Sequence, residues 1–309
     1  MMNSDVLVLT LLTVISAATP LIFAATGELV AEKSGVLNLG VEGMMLVGAV
    51  SAFLAVTETQ SALFACLVAL IAGAGMALIF AFLTLTLHAN QVATGLALTI
   101  FGIGLSALVG QDLVGVAYAG LPKLTVPVLA DIPIIGPLLF DHNFLIYLSI
   151  VVVFGVLWFL QKSRMGLILR AVGESHDAAH AIGYRVVLIR YLATLFGGGM
   201  AGLGGAYISL SYSPMWAENM TAGRGWIALA LVVFATWRPV RVLLGAYLFG
   251  GITILQLHAQ AIGVSIPSEM LSMLPYLVTI IVLVMISRDS NRVLGNAPAC
   301  LGKPFNAAA

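Results

Sequence analysis

Residues 27–43 read GELVAEKSGVLNLGVEG and set Glu28, Glu32, Lys33 and Glu42 between two strongly apolar runs. Charge in such a place is costly unless it faces protein or a wet cavity, which makes the stretch a candidate wall of a solute path. Asn38 and Glu42 are four apart, so on a helix they share one face; on a segment broken by glycines they line irregular backbone instead. Glu28, Glu32 and Lys33 read as a wetter shoulder on the cytoplasmic side. A second polar group, His88, Asn90, Gln91 and Thr94, opens another apolar run, and Gln91 and Thr94 are three apart on one face. Gln256, His258 and Glu269 complete the polar residues in or near apolar runs. Uncharged polar groups suit a neutral, hydrogen-bonding solute; interhelical hydrogen bonding is the structural alternative at each position.

Other chemistry is missing. No G-x-x-x-x-G-K-[ST] run, G-x-S-x-G elbow or H-E-x-x-H motif occurs, and no acidic pair lies within one apolar run. The glycines at 197–205 fall in an apolar run, where Gly198 with Gly202 and Ala201 with Gly205 have the spacing of helix packing. His176 and His180 are spaced as a metal half-site but lack a third ligand, so they read as polar surface. Cys66 and Cys300 are too few and too far apart for a disulfide framework. The chain is expected to perform no covalent chemistry, and any energy source lies elsewhere.

The elements that carry these residues are membrane helices. Of 309 residues, 61% are hydrophobic and 8% charged, against roughly 25% charged in soluble domains. Net charge is zero, with no basic run suited to nucleic acid. Asp5 and the lack of Lys or Arg before the first apolar run argue against a cleavable signal. Nine apolar segments can be drawn, at about 5–26, 36–56, 61–87, 91–110, 143–160, 190–212, 225–237, 242–260 and 269–287. The predicted fold is an all-α polytopic membrane protein. Lys162, Arg164, Arg170, Arg185 and Arg190 mark one loop as cytoplasmic, as Arg288, Arg292 and Lys303 mark the tail. Counting back places the N-terminus outside and the C-terminus inside. The apolar core at 226–237 covers roughly 18 Å as helix, short of the roughly 30 Å hydrocarbon layer. Either Arg224 and Arg238 snorkel to complete the crossing, the reading slightly preferred, or the segment is a half-helix.

Two connections are long. Residues 111–143 carry Pro122, Pro127, Pro133 and Pro137 among aliphatic residues, which suits either a folded outer cap, with room for a short interfacial helix, or a simple structural connector. Residues 161–190 form the largest polar segment. Ser175 suits an N-cap, Asp177 the first turn and Gly183 the stop of a helix over 175–182, too short to stand alone; on spacing alone the segment either docks on a partner or is a solvated loop that keeps topology.

RAVGESHDAAHAIG at 170–183, followed by GGGMAGLGGAY, resembles the cytoplasmic coupling segment of ABC importer permeases of the branched-chain amino acid, ribose and nucleoside group. ATGELVAEKSGVLNLGVEGMMLVGA, ANQVATGLAL and AGRGWIALALVVFATWRP extend the likeness along most of the chain and are similar to the shorter nucleoside-type subunit. His176, Asp177 and His180 depart from the group's pattern, where Pro and Arg are commoner. The resemblance implies a single permease domain over 1–309, with 161–190 as coupling loop and 111–143 as outer loop. It implies ATPase coupling by Arg170, Glu174, Ala178, Ala179 and Gly183, while the polar residues of the apolar runs put the candidate path at Asn38, Glu42, Asn90, Gln91 and Thr94. Implied partners are an ATP-binding cassette ATPase, a second homologous permease in a heterodimer and an extracytoplasmic solute-binding lipoprotein or periplasmic protein. No cofactor belongs to this chain, since ATP and Mg serve the ATPase, and the implied location is the bacterial inner membrane. The rival is a gradient-driven secondary transporter, for which Glu42 and Glu269 are the acidic candidates.

Overall fold

The computed structural model describes residues 4–125, 132, 135–261, 267, 270–271, 273–287 and 296–306. In chain order its helices are α1 (Ser4–Lys33), α2 (Val41–Thr59), α3 (Ala62–Ala81), α4 (Gln91–Gly110), α5 (Ile135–Phe140) and α6 (Phe144–Lys162). Then come α7 (Arg164–Glu174), α8 (His176–Ala181), α9 (Val186–Tyr207), α10 (Arg224–Phe234), α11 (Pro239–Ala261) and α12 (Leu274–Ser287). α3 and α9 each run on into a π-helical turn, Phe82–Thr86 and Ile208–Tyr212.

Among the described residues, seven helices are long and apolar enough to cross a membrane: α1, α2, α3, α4, α6, α9 and α11. The chain is a multi-pass helical membrane protein. The other two of the nine expected segments are the 11-residue α10 and the 14-residue α12. Bounds shifted where polar residues had been read as loop. α1 continues past residue 26 to Lys33, and much of 161–190 is helical, since α7 fills its first half and α9 begins at Val186.

α1, α2, α3 and α9 make the centre. Small residues set their separation. The glycine-rich face of α9 is buried almost throughout. A Cβ at Gly202 would fall on the Ala69 carbonyl, one at Gly48 on the Gly202 backbone, and one at Gly73 on the Gly198 carbonyl. Backbone cannot step aside as a side-chain tip can, so these helices meet closely only because no side chain intervenes. Leu67, Ile71, Ile100, Val151, Leu192 and Leu244 lie exposed on the outer faces, as a lipid-facing surface requires.

The outer loop is folded where it is described. β1 (Lys123–Thr125) pairs antiparallel with β2 (Asp141–Asn143), and a 2.7 Å Lys123–Asp141 ion pair ties them. The expected short helix is α5; Pro127, Asp131 and Pro133 lie outside the described residues, as do Glu269, Arg288 and Arg292. Val114 and Ala117 bridge to Trp216 and Met215, so the loop rests on the connection between α9 and α10.

Replacing Gly202 by Val should lower the melting temperature sharply in a thermal-shift assay, since overpacking costs about 1–3 kcal/mol. Gly75→Ala is the control: a Cβ there meets nothing within 4 Å, and Ala is the better helix former by about 0.5–1 kcal/mol. Its melting temperature should hold or rise.

Candidate functional site

Between α1 and α2 the chain leaves helical geometry for residues 34–40. Gly35 has φ +89°, a left-handed value that a β-carbon disfavours. Amides that leave a helix must find partners inside the protein: those of Ser34, Gly35 and Val36 turn back to the Ala31 and Glu32 carbonyls, and side chains serve Leu37, Asn38 and Gly40. The Leu37 amide donates to Gln91 Oε1 at 2.8 Å and the Asn38 amide to Glu28 Oε1 at 3.1 Å. Asn38 Oδ1 accepts from the Gly40 amide at 2.9 Å, closing a turn that aims the chain into α2. Asn38, Glu28 and Gln91 are all buried, and Glu28 Oε2 and Gln91 Nε2 have no hydrogen-bond partner among the described residues. α4 presses close: a Cβ at Gly95 would meet the Leu39 backbone and one at Gly102 the Gly43 backbone.

Glu42, in the first turn of α2, reaches across to α10. Its Oε1 accepts from the Thr221 hydroxyl at 2.5 Å and the Gly223 amide at 2.8 Å, while Oε2 accepts from the Gly225 amide at 2.6 Å. Three donors on one carboxylate are what a buried anion needs. They converge because Asn219, Ala222 and Gly223 all have positive φ, which turns successive amides toward one point, and because the positive end of α10 lies there. Arg224 does not snorkel. Its guanidinium turns back to the Met220 and Thr221 carbonyls and lies 5.0 Å from the Tyr212 ring centroid. With 11 residues, α10 covers about 16 Å, so the half-helix replaces the snorkelling reading.

Glu28 and Glu32 are each 1% exposed, which corrects the expectation of a wet shoulder. Glu32 Oε2 accepts from Trp237 Nε1 at 2.5 Å. Thr236 and Trp237 both have positive φ, an uncommon and strained pair for side chains with a β-carbon, and this turn after α10 brings the indole to Glu32. Lys33 Nζ donates to the Asn296 carbonyl at 2.7 Å.

The expected path residues thus divide. Asn38 and Gln91 meet at the break, and Glu42 lies at the end of it. Asn90 is exposed and N-caps α4 by accepting from the Ala93 amide at 3.0 Å, and Thr94 is half-buried. His88 is exposed in a left-handed turn, with φ +56°.

The residues expected to couple to an ATPase lie on and beside α7 and α8. Ser175 Oγ accepts from the Ala178 amide at 3.3 Å, the N-cap the sequence suggests, and Gly183 has φ +93° after α8. Glu174, Ala178 and Gly183 are exposed, Ala179 is buried against the protein, and Arg170 is half-buried. His176 is not surface. It is 8% exposed, its Nδ1 lies 3.1 Å from Arg190 Nη2, and its ring stands 5.2 Å from that of Phe305. The His180 ring also packs against Phe305, 5.4 Å between centroids. Among the described residues no metal-binding group of three appears.

Arg190, itself 1% exposed, was read only as a loop charge. It donates to the Ser34 carbonyl at 3.2 Å and the Lys303 carbonyl at 3.1 Å. The Cys300 amide donates to Gly173 and the Gly302 amide to Gly35. The tail therefore stitches α7 and α8 to the break between α1 and α2. Its tie to the rest of the site is long-range, and one signal was visible: Arg190 interrupts an apolar run at its start.

Burial, with the neighbouring Arg190 cation, holds the His176 imidazole below its ordinary value. The unfolded chain then takes up the proton first as pH falls, so stability is full above about pH 6.5 and declines below it. Proteolysis of the 296–306 tail should accelerate as pH drops from 7.5 to 5.5, and His176→Gln should flatten that dependence. Separately, Glu42→Ala strands the Gly223 and Gly225 amides, a loss of about 1–3 kcal/mol for each unsatisfied group. Hydrogen exchange at 221–226 should quicken while exchange in α9 stays slow.

Residues 10–283 match the family described as the permease component of the branched-chain amino acid transport system. A glucose ABC transporter permease protein of Haloferax volcanii, TsgC13, is 40% identical over 94% of this chain and 95% of its own length. The nucleoside ABC transporter permease NupC of Lactococcus lactis is 34% identical over 87% of this chain and 89% of its own. The guanosine ABC transporter permease NupQ of Bacillus subtilis is 31% identical over 93% of each chain. No solved structure matches. Permeases of this family are not themselves enzymes and work with an ATPase and a solute-binding partner, which sets the gradient-driven rival aside. With its spanning helices and a family match over most of its length, this chain belongs to the branched-chain amino acid type permeases of ABC transporters and is a membrane-spanning importer subunit.

Proposed function

We propose that the chain forms one half of a heterodimeric pore that imports nucleosides across a bacterial inner membrane. The observation that carries the reading is the break at residues 34–40, where Glu28 and Gln91 each hold one backbone amide and keep one polar atom unused. Such groups, beside a glycine-broken segment and the start of a half-helix, suit a neutral solute rich in hydrogen-bonding groups. Asn38 and Glu42 shape that wall, with Gln91, Asn90 and Thr94 along the α4 side. The nucleoside relatives support the substrate class. The 40% identity to a glucose permease favours a second reading, a hexose, and competition by both solutes separates the two.

In this reading the chain crosses nine times with its N-terminus outside, the half-helix α10 and the non-helical residues 213–223 before it together making one crossing, and the whole of 1–309 acts as one permease domain. Residues 111–143 then receive solute from the binding protein. α8 with its exposed Ala178 and the Gly183 turn that follows it, together with Ala179, Glu174 and Arg170, seats in the ATPase, which uses ATP and Mg to drive the pore.

Uptake by the reconstituted transporter tests this. Glu174→Ala and Gly183→Val should cut uptake and transport-coupled ATP hydrolysis about tenfold or more, a change of about 1.4 kcal/mol in barrier, while assembly persists. Asn38→Ala should lower uptake at unchanged membrane abundance. Uptake that continues without ATP and collapses with an ionophore would contradict the proposal.

A further inference from the structure

A crevice of about 610 Å³ lies between α1, α6, α7 and α9. Val30, Val156, Phe159, Met165, Leu169 and Phe196 line it, and every other lining residue is also apolar or glycine. It offers a polar solute no hydrogen bond, so it is no part of the path. Val151, Met165 and Leu192 on its rim are exposed, which opens it sideways toward the surrounding bilayer.

The mouth has a different character. Lys162 lies three residues beyond Phe159 at the end of α6, Arg164 immediately precedes Met165, and Arg185 stands four before Ile189 as the N-cap of α9. All three are exposed. The ion pairs among the described residues are Lys123–Asp141 and His176–Asp177, so these cations have no carboxylate partner there. The acidic residue of α7, Glu174, lies at its opposite end, about 15 Å along the helix. Trp158, 64% exposed on α6 one turn before Lys162, is the residue type that settles at the headgroup level.

We propose that this chain holds an anionic phospholipid, with an acyl chain in the crevice and the phosphate against Lys162, Arg164 and Arg185. The acyl chain alone confers no selectivity, because bulk lipid is as apolar as the lining. Selection comes from the headgroup. Each basic group near a membrane surface is worth roughly fivefold in affinity, and screening trims the total. The bound lipid would fill the gap between α6 and α9 and brace α7, the helix that leads into the coupling segment.

Native mass spectrometry of the assembled transporter, equilibrated with equal amounts of phosphatidylglycerol and phosphatidylcholine, tests this. The wild type should retain phosphatidylglycerol over phosphatidylcholine by about tenfold, within what three surface cations supply. Lys162→Gln, Arg164→Gln and Arg185→Gln together should bring the two lipids level without shifting the melting temperature. Gly155→Leu, at a position where a Cβ meets nothing within 4 Å, should fill the crevice and lower retention of both. The proposal is overturned if the wild type shows no preference or the triple variant keeps it. It is equally overturned if Gly155→Leu retains lipid unchanged, or if cysteines at Gly155 cross-link to a second permease, whose helix would then be the occupant.

Discussion

Carboxylates sealed inside a membrane protein must be satisfied by the protein itself. Glu28, Glu32 and Glu42 are all 3% exposed or less, and each dictates the backbone around it. Glu28 takes an amide from a stretch that has given up helix, Glu32 takes an indole from a strained turn, and Glu42 takes two amides and a hydroxyl at the start of a half-helix. Remove the carboxylates and the Asn38, Gly223 and Gly225 amides and the Trp237 indole lose their partners inside the protein. The interruption of α1 and α2 and the shortness of α10 are one arrangement seen from two sides, because the same acids require both.

That arrangement is joined to the basic side by backbone. Arg190 holds the Ser34 carbonyl, and the tail holds Gly35 and Gly173. A Cβ at Gly173 would fall on the Lys33 carbonyl, so α7 abuts the end of α1 without a cushion of side chain. Push α8, and the force reaches residues 34–40 through hydrogen bonds and direct contact. This is a contiguous physical connection between the proposed ATPase seat and the proposed path, with His176 and Phe305 as its packed joint.

Much of this was legible in the sequence, for reasons that can be named. Long apolar runs mark helices because lipid leaves no alternative, and Ser175, Asp177 and Gly183 mark α8 because capping is local chemistry. The irregular backbone at residues 34–40 was one of two readings, carried by the glycines of the stretch, the other being a helix face shared by Asn38 and Glu42. What stayed hidden depends on contacts far apart in sequence. Glu28 and Glu32 looked wet because their partners, Asn38 and Trp237, come from other segments. Arg224 is a different case: its carbonyl partners at 220 and 221 are local, and what hid them is the left-handed turn at Ala222 and Gly223 that brings them within reach. Arg190 looked like a topology marker because its three partners come from 34, 176 and 303.

The account turns on residues 34–40 being a moving wall of the path, and labelling tests that most directly. Leu39→Cys in the assembled transporter would be exposed to a charged thiol reagent in nucleotide-free and ATP-trapped states. The wild-type chain, whose Cys66 and Cys300 are buried, serves as the blank. A labelling rate that changes severalfold between the two states, and falls when nucleoside is present, is the predicted result. An equally slow rate in every state would mean that the break is fixed structure and the solute passes elsewhere.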